Sequence, residues 1–245
     1  MKIGVYGLGR FGSFWAKSLA SAGFETIAYS RSVHLLPPGV VRASEEEVLH
    51  ADFVFFCVAI SSFESVLKSV GSRIGKDSIV MDTCSVKTYP ARWMMENIGE
   101  DIYKIATHPM FGPDSGKNGL KNLPIVMCPI SERDERYEKV KTVFEKMDLK
   151  VIEMTVKEHD KEAAFSQGIT HLVGRTLSEM KLKPSDIATQ GYKSLLTIMD
   201  QTCNDPLQLF YDLQRYNPYT IDMRHALKVA LEETAYKLEN GVNEL

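Results

Sequence analysis

Apolar residues along this chain follow two rhythms, and the place where one gives way to the other divides the sequence. Short runs rich in β-branched and aromatic residues, at 2–6, 26–29, 53–58, 78–81, 103–106, 125–128 and 150–152, read as strands. Between most of them lie segments whose apolar positions recur every three or four residues, such as 11–22 with Phe14, Trp15 and Leu19, then 63–70 and 132–146. Alternating strand and helix predicts a doubly wound α/β fold, a mostly parallel sheet with helices on both faces. After about residue 154 only the helical period remains, broken at Lys183-Pro184, Asp205-Pro206 and Asn217-Pro218, where proline cannot continue a helix. The expected organisation is a domain over 1–153 followed by an all-helical domain over 154–245. Apolar residues such as Leu207, Leu209, Phe210, Tyr211 and Leu213 look exposed on so thin a helical core, so a homodimer formed through the C-terminal helices is expected.

Composition narrows the classes. The chain has 245 residues, 44% hydrophobic and 25% charged, as an ordinary globular protein does. A net charge of −3 without a basic tract gives no electrostatic support for a nucleic-acid groove or an anionic membrane surface. Cys57, Cys84, Cys128 and Cys203 form neither a CxxC pair nor a zinc-ligand spacing with histidine, so no metal is expected and free thiols in a reducing compartment are. The longest apolar run, 53–60, is too short to span a bilayer, and the chain opens directly into a strand with no signal or transit pattern. The cytosol is the expected location.

Gly7-Leu8-Gly9-Arg10-Phe11-Gly12 fits GxGxxG between a predicted strand and a predicted helix, the setting in which that motif binds a dinucleotide in a Rossmann-type domain. Gly7 allows the tight turn, Gly9 lets backbone amides approach a pyrophosphate, and Gly12 lets the helix pack near the sheet. After the second strand stands Ser30-Arg31-Ser32, where NAD enzymes usually offer an acid to the adenosine ribose. A guanidinium between two hydroxyls suits a 2′-phosphate, so NADP is the expected cofactor. Val58 and Ala59, past the strand that begins at Phe53, are assigned to the same site.

Asp82-Thr83-Cys84-Ser85-Val86-Lys87 follows another strand, and His108 is expected in the loop after the strand at 103–106. Ligands of doubly wound sheets bind beyond the carboxyl ends of strands, so Ser85, Lys87 and His108 can converge there. A lone histidine is often a satisfied structural group, Ser85 can be a helix cap, and Lys87 a solvated surface lysine. Gln167, His171 and Arg175, spaced i, i+4 and i+8, make a polar stripe opposite Phe165, Ile169, Leu172, Val173 and Leu177. Two potential cations there suit a carboxylated substrate; the alternative is an exposed helix face.

GLGRFG, DTCSVK and THPMFGPDSG, followed by EHDKEAAFSQGITHLVGRTL at 158–177 and GYKSLLTIMDQT at 191–202, resemble the prephenate and arogenate dehydrogenases of tyrosine biosynthesis, especially the plant-type arogenate dehydrogenases. The resemblance covers nearly the whole chain. It implies NADP-dependent oxidative decarboxylation of a cyclohexadienyl substrate, with His108 drawing the proton of the 4-hydroxyl and Ser85 orienting both. It also implies a substrate contact from His171 and a Lys87 that faces substrate anionic groups or the cofactor, and it makes Asp114 a candidate for the ammonium of arogenate. His159-Asp160 matches the family too, but opens a long helix and can simply serve its N-terminus. The arginine that bacterial members set before the late Asp-Pro pair is missing, as in plant-type members, which leaves Arg175, Lys87, Lys193 or Arg215 for the ring carboxylate. Competing readings are an NADP oxidoreductase of the β-hydroxyacid or imine reductase type and a non-catalytic NADP-binding regulatory protein.

Overall fold

The structure, a computed structural model, describes residues 1–241, and the chain divides into two compact units, Met1–His159 and Asp160–Leu245. The first holds one eight-stranded sheet: β1 (Lys2–Tyr6), β2 (Glu25–Tyr29), β3 (Val40–Arg42), β4 (Phe53–Phe56), β5 (Ile79–Asp82), β6 (Tyr103–Pro109), β7 (Pro124–Pro129) and β8 (Lys150–Glu153). Their order is β3-β2-β1-β4-β5-β6-β7-β8, and every neighbouring pair is parallel except β6 with β7. The helices of this unit are α1 (Arg10–Ser21), α2 (Glu45–Leu49), α3 (Ile60–Val70), α4 (Thr88–Asn97) and α5 (Glu135–Lys146). The mostly parallel sheet is the expected one. β3, α2 and α4 escape the periodicity because two are very short and the third carries Pro90 in its first turn, where a missing N–H costs nothing.

Adjacent residues of a strand point to opposite faces, and Phe55 and Phe56 show what lies on each. The Phe55 ring meets Trp15 of α1 at 5.4 Å and Phe144 of α5 at 6.1 Å, while Phe56 meets Phe63 of α3 at 5.7 Å, which in turn meets Trp93 of α4 at 6.4 Å. Helices therefore cover both faces. Trp15, Phe55, Phe56, Phe63 and Phe144 are all fully buried, and burial of side chains this large contributes roughly 1.5–3 kcal/mol each.

α6 (Val156–Ala163) leads through a π turn at Ala164–Gly168 into α7 (Ile169–Glu179), and α8 (Gln190–Asn204), α9 (Leu207–Arg215) and α10 (Thr220–Asn240) follow. The described part of the second unit is all helix, as expected, and its helices break at the three prolines. Two expectations about faces are corrected. Leu213 is buried, 3.6 Å from where a Cβ on Gly168 would stand, although Leu207 and Tyr211 are exposed. From 165 to 177 the buried positions are Gly168 at the end of the π turn and His171 and Gly174 of α7, whereas Phe165 is 55% exposed. A Cβ on Gly174 would stand 2.1 Å from Thr202 Oγ1 of α8, so a small residue meets the neighbouring helix there, while Ile169, Leu172, Val173 and Leu177 are only half-buried. The π turn adds to this by rotating the helix after it relative to a straight α-helical count. Among the described residues no helix is long and apolar enough to cross a membrane.

Candidate active site

The strand order reverses between β1 and β4, which opens a crevice at the carboxyl ends of the parallel strands. β1 leaves the sheet at Gly7 with φ of +104°, and a Cβ there would meet the Cys57 carbonyl oxygen at 2.5 Å. Gly12 is equally constrained, since its Cβ would lie 2.0 Å from the Gly7 carbonyl oxygen and push α1 off the turn. Gly9 differs from both: it precedes α1, no atom lies within 4 Å of where its Cβ would be, and no side chain caps the helix. No acid stands in the first turn of α1, so its free amides and dipole face open space that suits a phosphate.

A cleft of about 260 Å³ runs along this edge, lined by Gly7, Leu8 and Gly9, by Ser30, Arg31 and Ser32, and by Val58 and Ala59. These residues, drawn from three separate segments, are thus brought together. Arg10 instead pairs with Asp114 at 2.7 Å, and Phe11 stacks on Trp15 with ring centroids 6.0 Å apart. The Tyr6 hydroxyl donates to Glu45 at 2.6 Å, and Glu45 also accepts from Arg73 at 2.5 Å. Tyr6 lines the cleft, and the acid it touches is already neutralised. The residues present fit a dinucleotide.

At the carboxyl end of the sheet, β6 runs on to Pro109, four residues past its last register pair with β5, Ile105 with Met81. His108 accordingly lies inside β6, paired with Val126 of β7, rather than in a following loop. The antiparallel partner extends the strand, which is why a pattern read from one segment stops early. The ring is 3% exposed.

Asp82, which sequence reading left without a role, ties the ends of β5 and β6 together. Its carboxylate accepts from the backbone amides of Thr107 and Cys84, each at 3.0 Å, and from the Lys87 ammonium. Lys87 also donates to the Thr107 carbonyl at 2.5 Å and is 0% exposed. Lys87 is therefore a buried strut and not a solvated surface cation, because its ammonium bonds Asp82 and the end of β6. Lys87 is also the residue that precedes α4, so Ser85 is not that helix's cap. The Ser85 hydroxyl is buried with no hydrogen-bond partner, His108 included.

The partner of His108 is His159, with Nδ1 of the first 2.8 Å from Nε2 of the second and both rings buried. Burial, then His159, then the nearby Lys87 charge hold His108 well below the ordinary imidazole pKa, so it is neutral at pH 7. His159 is not needed at the helix entrance. Thr155 and Glu158 form a reciprocal cap there, with Glu158 accepting from the Thr155 amide at 2.8 Å and Thr155 Oγ1 from the Glu158 amide at 3.2 Å. That T-x-x-E signature was legible in the sequence and leaves His159 for other work.

In the second unit Gln167, His171 and Arg175 share an unusual property. Gln167 Oε1, His171 Nδ1 and Arg175 Nε are buried without a hydrogen-bond partner. His171 is pushed down to about 4 by burial and then by the Arg175 charge, and its Nε2 lies 4.0 Å from Asp205. Arg175 donates to the Asp205 carbonyl at 2.6 Å, closing the end of α8. Lys193 and Arg215 are exposed, and Arg215 lies over the Tyr211 ring at 5.1 Å.

A glycine turn feeding a helix at the reversal of a parallel sheet is the dinucleotide site of the doubly wound dehydrogenases, and the first unit is of that class. Comparison with known proteins narrows it. Residues 36–153 match the family model for the prephenate dehydrogenase nucleotide-binding domain, and residues 176–245 match the model for the TYRAAT1-like C-terminal domain. Arogenate dehydrogenase 2, chloroplastic, of Arabidopsis thaliana is 35% identical over 97% of this chain and 70% of its own length. Arogenate dehydrogenase 1, chloroplastic, of the same plant is 35% identical over 97% of this chain, which spans 39% of that protein. Prephenate dehydrogenase from A. aeolicus, solved in complex with hydroxyphenyl propionate and NAD+, shares the fold with a TM-score of 0.76 at 19% identity, over 100% of this chain and 92% of that one. The chain belongs to the prephenate and arogenate dehydrogenase family.

Proposed function

We propose that this protein oxidises a cyclohexadienyl substrate, arogenate in preference to prephenate, with NADP as the acceptor. The observation that carries the reading is a buried, neutral imidazole at position 108, held by β6 on the edge of the sheet that bears the glycine turn. Bound at the crevice, the nicotinamide would take hydride from ring C4. His108 accepts the 4-hydroxyl proton as C4 becomes a carbonyl. The bond from the ring to its carboxylate then breaks, CO2 leaves, and the electron pair aromatises the ring. The phenol oxygen takes the proton back, leaving tyrosine from arogenate or 4-hydroxyphenylpyruvate from prephenate.

Ser85, buried with a free hydroxyl, is the neighbour proposed to hydrogen-bond the substrate oxygen. Gln167, His171 and Arg175 carry the unspent polar atoms that suit carboxylate recognition. With Lys87 committed to Asp82, Arg175 is the proposed cation for the ring carboxylate. The arogenate preference rests on the two plant relatives rather than on Asp114, whose carboxylate Arg10 already holds.

Arg31 between two serines in the cleft favours a 2′-phosphate, and the acid bonded to Tyr6 is spent on Arg73. The exposed Leu207, Ile221, Leu231 and Leu238 support a homodimer through the C-terminal helices. Four free cysteines suit a reducing compartment such as the cytosol; the plant relatives are chloroplastic by name. The deciding assay follows reduced-cofactor formation with arogenate and prephenate side by side, using NADP and NAD. Higher kcat/KM with arogenate and NADP, and loss of the NADP advantage in Arg31→Ala, are expected. Equal kcat/KM with both cofactors, unchanged by that substitution, removes the NADP assignment.

A further inference from the structure

The contact between His108 and His159 joins nitrogen to nitrogen, and that geometry constrains protons more than a histidine–carboxylate pair does. At 2.8 Å the two lone pairs cannot face each other, so one ring donates and the other accepts. A neutral imidazole carries one N–H. If His159 were the donor, His108 would hold its own proton on Nε2 and have no lone pair left to offer a substrate. If His108 donates from Nδ1, its Nε2 is a free acceptor.

Resting on the dehydrogenase reading above, we propose that His159 is a positioning residue that selects the Nδ1–H tautomer of His108 and thereby leaves Nε2 as the base. His159 accepts at Nε2 and holds its own proton on Nδ1. When the substrate hydroxyl gives its proton to His108 Nε2, the Nδ1–H of the new imidazolium strengthens its bond to His159, which shares the charge without a net anion in the site. The proton returns to the phenol oxygen at the end of the cycle, so His159 undergoes no net change. The device differs from a carboxylate partner in one respect. A carboxylate would favour imidazolium and protonate the base too early, whereas a neutral ring, with the nearby Lys87 ammonium bonded to Asp82, keeps His108 unprotonated. Backbone pairing with Val126 of β7 holds the His108 main chain in the sheet.

The test uses the full chain with 15N-labelled histidine. Imidazole nitrogen shifts, assigned to His108 by comparison with His108→Asn, report the tautomer directly, and kcat/KM against pH reports the base. Expected for the native chain are Nδ1–H on His108 and an acid limb below the ordinary imidazole value of about 6.5. His159→Gln, which can accept at the same place, keeps the tautomer and most of kcat. His159→Phe, which cannot, mixes the tautomers and lowers kcat about 10- to 100-fold with little change in KM, the range for lost support of a reacting group. His159→Glu moves the acid limb upward by about 1–3 pH units. An Nε2–H tautomer in the native chain, an unchanged tautomer and kcat in a folded His159→Phe, or an unmoved acid limb in His159→Glu would each overturn the proposal. Should neither arogenate nor prephenate be turned over while the shifts still show Nδ1–H, the substrate assignment fails and the tautomer assignment stands.

Discussion

The two units bury different things. The sheet unit rests on large apolar side chains, with Trp15, Tyr137, Phe55, Phe56, Phe63 and Phe144 fully enclosed. Among the described residues beyond His159 the buried apolar ones are Ala163, Ala164, Leu213 and Met223, while Asp160, His171, Thr202, Asp212, Gln214, Asn217 and Thr220 are buried polar groups. Several of these side chains bond the backbone, as where Asn217 donates to the Asp160 carbonyl at 2.8 Å and Gln214 to the Gly168 carbonyl at 2.9 Å. The first unit is thus held by area and the second by directed bonds and close backbones. Leu231, Tyr236 and Leu238 of α10 remain exposed at 67% or more. A rigid sheet can fix reacting groups to a fraction of an ångström, and a helical layer with outward apolar faces is suited to assembly.

The comparison breaks most severely at His108. In His108→Asn kcat is expected to fall about 10²- to 10⁴-fold with KM little changed, measured by steady-state kinetics, because the base is lost while the strand stays paired. Near-native kcat would remove His108 from the chemistry. Next is the strut: Lys87→Met leaves the Asp82 carboxylate buried without its cation and should cost about 3–5 kcal/mol in urea unfolding. A surface lysine would cost almost nothing.

The glycine turn sharpens the contrast between folding and binding within one motif. Gly12→Ala sets a methyl 2.0 Å from the Gly7 carbonyl and should lower the melting temperature, whereas Gly9→Ala meets no protein atom and should raise KM for the dinucleotide at unchanged stability. Equal effects of the two in thermal melts would contradict the assigned roles. In the helical unit, the double substitution Leu231→Glu with Leu238→Glu should leave helical content intact while converting the proposed dimer to monomer in light scattering.

The smallest effect is a pH dependence of stability. His108 is held well below, and His171 at about 4 against, an unfolded value near 6.5. Below that value the unfolded chain takes up protons that the native chain refuses, so this stability is complete above about pH 6.5 and is lost as pH falls toward 4. Melting temperatures taken across that window should decline, and the His171→Asn protein should decline less.

The sheet was legible because runs such as that at 53–58 are apolar enough to be buried on both faces, and the glycine turn because its spacing is fixed by sterics. The face assignment on α7 was not, since a helical count cannot register the π turn at Ala164–Gly168 or the approach of Thr202 to Gly174. The role of Lys87 was hidden because its partners, Asp82 and the Thr107 carbonyl, are brought to it by two strands. By itself the sequence determined the alternation of strand and helix, the glycine turn and the histidine after β6's apolar core, all set by local sterics and periodicity. Only the tertiary structure decided that Lys87 is sealed against Asp82 and that His108 meets His159 nitrogen to nitrogen. Contacts between residues 51 positions apart depend on how strands and helices pack, and no local pattern encodes that distance.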